Sequence, residues 1–337
     1  MLGYELKGAL HTLPVESAAL RGNRLGDPDR RDVLVYTPPG YEESTQRFPV
    51  VMLLSAFGSG PWAMAAPDIW KASTVELFDQ LVATGQCGPA LLVLPDATTR
   101  LGGSQFLDSH FAGNYQTFLA DEVLAAVDRA FRTVPEAAGR AIGGRSSGGF
   151  GALRMVMDRP GLFSAVASHA GDMAFELSLR PLLPRAAVAF HVAGGVEPFV
   201  ARIAEQGPRT SADHDGLFLL ASATAYAERE EGVHWPPFPF DPETGEIVES
   251  IWNAWRKHDP IERVTSSIES LRETTYLFLD AGNGDDYGLQ FGARVFAKRA
   301  QMHGVGVDHE EFEGGHRGTS HRYGISLPRL VAALSGA

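Results

Sequence analysis

The sequence predicts an α/β protein with a mostly parallel central sheet and helices on both faces. Short runs rich in Val, Ile, Leu and Ala alternate with longer segments in which apolar residues recur at helical spacing. This alternation is typical of βαβ units. The inner runs are continuously apolar, as expected for parallel strands that are buried on both faces. With 337 residues and 44% apolar content, the chain is predicted to form one large domain, residues 1–337, and two smaller domains are the alternative.

The predicted strands and helices alternate along most of the chain. Strands are predicted at residues 32–38, 49–57, 90–97, 140–146, 163–171, 275–282 and 308–315. Helices are predicted at residues 68–85, 115–133, 149–160 and 287–304. Residues 173–262 interrupt the order, because a simple crossover needs far fewer residues. We interpret this segment as an insertion over the carboxyl edge of the sheet, a lid or a pocket wall. The alternative is a peripheral excursion with a small core of its own, made of Trp235, Phe238, Trp252 and Trp255.

The composition argues against several classes of protein. The 41 acidic and 29 basic residues give a net charge of −12, whereas nucleic-acid binding requires clustered Lys and Arg. The single cysteine, Cys87, cannot form an intrachain disulfide and is interpreted as a small apolar filler. The first residues lack the pattern of a signal peptide, and no apolar run approaches membrane-spanning length. We therefore expect a cytoplasmic protein without nucleic-acid or membrane partners, and leave open whether it forms a homo-oligomer.

The stretch AIGGRSSGGFGAL holds two adjacent serines between a predicted strand and a predicted helix. This is the setting of a nucleophile on a sharp strand-to-helix turn. The residues two positions before and after such a nucleophile crowd together and must be small. Gly144 and Gly148 meet this requirement for Ser146, whereas Arg145 would occupy the crowded position for Ser147. Ser146 is therefore the predicted nucleophile, and a structural turn is the alternative.

Two backbone N–H groups are predicted to bind the oxyanion that forms during attack. The first belongs to Ser147, directly after the nucleophile. The second is expected in the loop LLSAFGSGPW, after the strand PVVMLLS. We assign it to Phe57, with one residue on either side as an alternative. The loop could also be an ordinary strand exit whose glycines only close a turn.

A serine hydroxyl needs a base, and in this arrangement the chain order is serine, acid, histidine. The segment EFEGGHRGTSHRYG offers His316 and His321. His316 is preferred because it follows the last predicted strand after two glycines, and a solvated surface histidine is the alternative for each. The loop LDAGNGDDYGL supplies Asp285, at its tip, as the preferred acid. Asp286 ranks second, with helix capping as its alternative role, and Asp172 ranks third.

Five residues are predicted to approach the substrate: Trp62, His110, Asp172, Trp235 and Trp252. His110 and Asp172 lie at or near the carboxyl ends of strands, where ligands of open α/β sheets bind. Core packing is the alternative for the tryptophans, a helix cap for Asp172 and a solvated loop for His110. GNGDD lacks the ligand series of a calcium loop and GGRSSGG lacks the Walker lysine, so no metal and no cofactor are expected.

Several stretches together resemble one family. They are LLSAFGSGPW, NYQTFLADEVLAAVD before the serine turn, GRAIGGRSSGGFGALRMVMD, and then LDAGNGDDYGL and FEGGHRG. The chain is similar to the esterase family of α/β-hydrolases that includes enterochelin-esterase-like proteins, S-formylglutathione hydrolases, feruloyl esterase domains and mycolyltransferases. The resemblance implies the α/β-hydrolase fold and hydrolysis of carboxylic esters without a cofactor. It places the nucleophile on Ser146, the acid on Asp285 and the base on His316. Many relatives have His-Gly where this chain has Ser55-Ala56.

These residues predict a mechanism. His316 takes the proton of Ser146 as the serine attacks an acyl carbonyl, the N–H groups of Ser147 and Phe57 stabilise the oxyanion, and Asp285 orients His316. Water then cleaves the acyl-enzyme. The first hypothesis is a carboxylesterase acting on small acyl or aryl esters. The alternatives are an acyltransferase that uses the same acyl-enzyme and a non-catalytic relative that binds a ligand in the cleft.

Overall fold

The computed structural model describes residues 3–228, 232 and 234–334. Its centre is an eight-stranded sheet in the order β1-β2-β4-β3-β5-β6-β7-β8. The strands are β1 (Ala9–Glu16), β2 (Arg30–Thr37), β3 (Val50–Leu54), β4 (Leu91–Pro95), β5 (Arg140–Arg145), β6 (Ala165–His169), β7 (Tyr276–Gly282) and β8 (Asp308–Phe312). β2 pairs antiparallel with β1 and β4, and the other neighbours pair in parallel. The predicted α/β class with a mostly parallel sheet is confirmed.

Helices follow most of the strands. They are α1 (Pro61–Ala65), α2 (Thr74–Ala83), α3 (Leu124–Ala130), α4 (Ser147–Asp158), α5 (Phe175–Ser178), α6 (Leu183–Ala193), α7 (Val196–Gln206), α8 (Ser211–Tyr226), α9 (Glu249–Arg256), α10 (Pro260–Arg263), α11 (Ile268–Arg272), α12 (Leu289–Met302) and α13 (Tyr323–Leu334). α3 continues from a helical turn at Tyr115–Thr117 and a π-helical segment at Phe118–Val123. In the described residues no single helix is long and apolar enough to cross a membrane, and one pair, 175–193 with 196–206, reaches that length and composition only across a bend of 84°.

The central strands have two buried faces because successive side chains point to opposite sides of a sheet. On β3, Val50, Met52 and Leu54 join the core on one side, and Val51 and Leu53 join the core on the other. α4 and α12 pack on the first side, and α2 and α13 pack on the second. Helices on both sides therefore exclude water from the centre of the sheet, which explains the continuously apolar strands.

Two terminal elements are not predicted by the sequence. β1 is a largely exposed edge strand, and Pro14 interrupts its alternation of apolar and polar residues. Proline is tolerated at such an edge. α13 contains Pro328 in its interior, which argues against a helix on propensity alone. Its apolar side chains are nevertheless buried against the sheet, so tertiary packing stabilises the helix.

The segment 173–262 folds mainly as helices α5 to α9, between β6 and β7. Its aromatic side chains do not form a separate core. Phe175, Trp252 and Trp255 belong to the same hydrophobic cluster as the residues of the sheet. Phe150 of α4 contacts Phe175 with ring centres 6.1 Å apart and Tyr226 with ring centres 6.0 Å apart. The helices of this segment are thus packed directly on the helix that follows the serine turn.

Candidate active site

Ser146 lies between β5 and α4 with φ 57° and ψ −125°. A positive φ is unfavourable for a residue with a side chain and persists only where the surroundings enforce it. A Cβ atom on Gly144 would lie 2.4 Å from the carbonyl carbon of Gly148, and one on Gly148 would lie 2.2 Å from the oxygen of Leu54. Both glycines are therefore required by close backbone contact, and Ser146 occupies the tip of a tight turn.

Three side chains form one hydrogen-bonded chain at this turn. The Oγ atom of Ser146 is 3.0 Å from Nε2 of His316, and Nδ1 of His316 is 2.8 Å from Oδ2 of Asp285. The other carboxylate oxygen of Asp285 accepts a hydrogen bond of 2.9 Å from the N–H of Tyr287. Because an ionised carboxylate only accepts, Nδ1 of His316 donates to Asp285 and Nε2 is left to accept the proton of Ser146. The ring of His316 is oriented to act as a base toward the hydroxyl.

The alternative acids and the alternative histidine lie elsewhere. Asp286 is exposed, whereas the side chain of Asp285 is fully buried. His321 is exposed and contacts the carbonyl oxygen of Gly318 through Nδ1 at 3.2 Å. Asp172 does approach the site, but it accepts a long hydrogen bond of 3.4 Å from the hydroxyl of Ser147 rather than one from the histidine. Among these candidates, the structure brings Ser146, His316 and Asp285 together.

Two backbone N–H groups at the site lack a partner in the described part of the chain. The N–H of Ser147 is the first of α4, where helices leave their amides unsatisfied. The N–H of Phe57, in the loop after β3, likewise donates to none of the described residues. The ring of Phe57 is held edge-on against His214, at 5.4 Å, and against Phe218, at 5.0 Å. Packing against α8 therefore holds this loop beside the serine.

A cavity of about 270 Å³ opens above Ser146. It is lined by Ala56, Phe57, Arg145, Ser146, Asp172, His214, Phe218, Tyr287, His316, Arg317 and Gly318. His214 and Phe218 belong to α8, so the segment inserted after β6 forms one wall of the cavity. Burial raises the pKa of Asp172 to about 6, although nearby His316 favours its ionised form. A carboxyl group that titrates near neutrality therefore lies within the cavity.

Four residues predicted to approach the substrate do not line this cavity, and those predictions are corrected. Trp252 is 0% exposed and donates a hydrogen bond of 2.8 Å to Glu176. Trp235 lines a different cavity, and His110 contacts Arg24 at 3.2 Å. Trp62 projects from α1 and is 55% exposed. Asp172 is the one of the five that lines the cavity. Burial of large aromatic surface in the core is strongly favourable, and it accounts for Trp252.

Sequence reasoning missed Arg145, His214, Tyr287 and Arg317. Arg145 and Arg317 each adjoin a predicted catalytic residue in sequence, and Tyr287 follows the acidic loop, so adjacency is a signal that could have found them. His214 has no such signal because it reaches the cavity only through the packing of α8. Within the described ranges, no group of three or more His, Cys, Asp or Glu side chains is placed to hold a metal ion.

Comparison with known proteins agrees with the geometry. A family model described as "Putative esterase" matches residues 24–331. The chain belongs to this esterase family. The predicted family resemblance is confirmed. Esterase Rv1288 and Esterase MT1326, both of Mycobacterium tuberculosis, are each 31% identical over 141 residues. That match covers 41% of this chain and only 28% of the length of these relatives.

Solved structures of other proteins share the fold of this esterase. A ferulic acid esterase superposes with a TM-score of 0.62 at 17% identity, covering 98% of this chain and 100% of the other. An S-formylglutathione hydrolase from Agrobacterium tumefaciens has a TM-score of 0.56 at 15% identity, covering 99% and 98%. FphF, a fluorophosphonate-binding serine hydrolase of Staphylococcus aureus, has a TM-score of 0.59 at 12% identity, covering 97% and 98%. At these identities the likeness shows the α/β-hydrolase fold.

Proposed function

We propose that this esterase hydrolyses small acyl or aryl carboxylic esters through an acyl-enzyme on Ser146. The observation that supports the proposal is the chain of hydrogen bonds from Ser146 through His316 to Asp285, with distances of 3.0 and 2.8 Å, at the floor of a cavity. A serine on a strained turn with a correctly oriented base is the arrangement needed for nucleophilic attack on an acyl carbon.

Each group has a defined step in the proposed reaction. His316 accepts the proton of Ser146 during attack and returns it to the leaving alkoxide as the tetrahedral intermediate collapses. The buried carboxylate of Asp285 stabilises the imidazolium that forms between these steps. Water, deprotonated by His316, then attacks the acyl-enzyme, and His316 returns that proton to the oxygen of Ser146 as the acid is released. Asp285 remains ionised throughout and holds the ring orientation.

The N–H groups of Ser147 and Phe57 are proposed to bind the oxyanion. Both lack an acceptor among the described residues, and both belong to segments that flank Ser146. Preorganised donors of this kind lower the barrier because they need no reorientation as charge develops on the oxygen. The cavity of about 270 Å³ is smaller than a pocket for a drug-sized ligand, which supports small esters as substrates.

The test compares Ser146→Ala with Ser266→Ala on 4-nitrophenyl butyrate. Ser266 is exposed and lies outside the cavity, so its replacement is expected to leave turnover unchanged. Ser146→Ala is expected to lower kcat by at least about a thousandfold while circular dichroism shows an unchanged fold. A fluorophosphonate should label the parent protein and not the Ser146 variant. Persistent turnover in that variant would remove Ser146 from the mechanism.

We also propose a cytoplasmic location. Cys87 is buried and unpaired, which is usual in a reducing compartment, and the acidic composition is common among cytoplasmic proteins. Cell fractionation with an antibody against the protein tests the proposal.

Light scattering after size-exclusion chromatography decides between a monomer and a homo-oligomer.

A further inference from the structure

Arg145 differs from the other buried or half-buried arginines of the described chain. All of the others but one have a carboxylate within 4.0 Å. These paired arginines are Arg31, Arg140, Arg154, Arg159, Arg180, Arg202, Arg256, Arg263, Arg322 and Arg329. The exception is Arg132, which donates to the carbonyl oxygen of Tyr41 and stacks on its ring. Arg145 is half-buried and has neither a carboxylate nor an aromatic ring in such contact. Among the described residues, Arg145 therefore has no ion-pair partner within 4.0 Å.

The position of Arg145 links this charge to the site. Its Nη1 atom makes one long hydrogen bond of 3.4 Å to the carbonyl oxygen of His316, which leaves most of its five N–H donors free. Arg145 lines the cavity above Ser146 and also a neighbouring cavity of about 390 Å³, and Ala56 is shared by both. A group bound to the guanidinium would therefore lie at the junction of the two cavities, beside the nucleophile.

The carboxylate in the cavity forms no ion pair with Arg145. The main charged groups acting on Asp172, the carboxylate in the cavity, are His316, Asp285 and Asp259 rather than the arginine. Arg317 lines the same cavity and likewise has no carboxylate within 4.0 Å among the described residues. A partly desolvated charge without a counter-ion is unfavourable unless a ligand supplies the opposite charge.

The neighbouring cavity contains charges of both signs. Lys71 and Asp68 line it together with Arg145. Asp68 is half-buried, and its carboxylate accepts hydrogen bonds from the N–H groups of Trp70 and Lys71. It forms no ion pair with Arg145. The guanidinium thus remains available to a ligand that enters this cavity.

We propose that Arg145 binds a carboxylate or phosphate group carried by the ester, so that the preferred substrates of this enzyme are anionic esters. The proposal rests on the ester hydrolysis proposed above. A guanidinium binds either oxyanion through two parallel N–H donors. The cavity of about 390 Å³ beside the nucleophile accommodates the part of the substrate that bears the anion. The chain has a net charge of −12, so an anionic substrate would be repelled without the positive charge of Arg145.

The experiment uses matched 4-nitrophenyl esters. The monoester of glutaric acid carries a carboxylate where the pentanoate ester carries a methyl group, and the ester of 4-phosphonobutanoic acid carries a phosphonate there. The measured quantity is selectivity, the kcat/KM of the anionic ester divided by that of the pentanoate. Arg145→Gln is expected to lower selectivity about 10- to 100-fold. Arg145→Lys retains the positive charge but not the two parallel N–H donors, and should lower selectivity less. Comparing glutarate with phosphonobutanoate decides which oxyanion is preferred.

Lys298→Gln removes an exposed positive charge from α12, away from both cavities, and should leave selectivity unchanged. If Arg145→Gln slows both esters equally, Arg145 only holds the carbonyl of His316 and the anion site is refuted. If the parent protein hydrolyses neither ester, the proposed function fails instead. Equilibrium binding of the two esters to Ser146→Ala then decides the anion site independently, because equal affinities would refute it.

Discussion

Replacing Asp172 by asparagine is expected to stabilise the protein at neutral and alkaline pH. Asp172 is 5% exposed, lies in the cavity above Ser146, and accepts a hydrogen bond of 3.4 Å from the hydroxyl of Ser147. An asparagine oxygen can accept the same hydrogen bond and has nearly the same volume. The substitution therefore removes the charge while it retains the packing and the contact.

The magnitude follows from the shift in pKa. Burial raises the pKa of Asp172 from 3.8 to about 6, whereas in the unfolded chain the carboxyl group titrates near its ordinary value. Between these two pH values the folded state binds more protons than the unfolded state, so stability falls as the pH rises. One pKa unit corresponds to about 1.4 kcal/mol. The ionised carboxylate therefore lowers the free energy of unfolding by about 3 kcal/mol at pH 8 and by about half of that at pH 5.

Urea unfolding followed by circular dichroism measures this difference. Asp172→Asn should exceed the parent protein in the free energy of unfolding by about 3 kcal/mol at pH 8, with a smaller excess at pH 5. Burial also raises the pKa of Asp259 to about 6, but that group is present in both proteins and cancels. Asp286→Asn, which removes a nearby exposed charge, is the control and should change little. An asparagine variant no more stable than the parent at pH 8 would show that the buried carboxylate is not destabilising.

Two further substitutions test packing around the site. Gly148→Ala places a Cβ atom 2.2 Å from the backbone oxygen of Leu54, so urea unfolding should show a loss of stability of about 3 kcal/mol or more. Gly306→Ala is the control and should leave stability unchanged, because its Cβ would lie in open space. Equal effects of the two substitutions would contradict the crowding at the turn. Ser326→Ala removes the hydroxyl that lies 2.8 Å from Nε2 of buried His169. An unpaired buried nitrogen should lower the free energy of unfolding by about 1–3 kcal/mol, and a neutral result in the same assay would show that the ring finds another partner.

The choice between the two serines could be made from the sequence because the constraint is local. A strained turn requires small residues two positions away on either side, and the structure shows why, since Gly144 and Gly148 touch each other. The inner strands were predictable for a similar reason. Strands such as β3 are buried on both faces, so their composition is apolar throughout.

The choice between Asp285 and Asp286 depends on tertiary structure. The two residues are adjacent and chemically identical, so the sequence could rank them only by position in the loop. In the fold, the N–H of Tyr287 holds the carboxylate of Asp285 inward, 2.8 Å from His316, and Asp286 points to solvent. The histidine that contacts Asp285 is His316, in the loop after β8. No pattern within the loop of Asp285 reveals this contact.

The cavity lining also depended on packing between distant segments. Trp252 satisfies the same sequence criteria as a substrate-binding aromatic, but α9 buries it completely. His214 reaches the cavity because α8 packs against the loop of Phe57. The sequence by itself determined the features set by neighbours along the chain: the fold class and the sharp turn at Ser146. Tertiary structure alone decided which side chains from separate segments meet, because their distances are set by packing across the fold rather than by their spacing in the sequence.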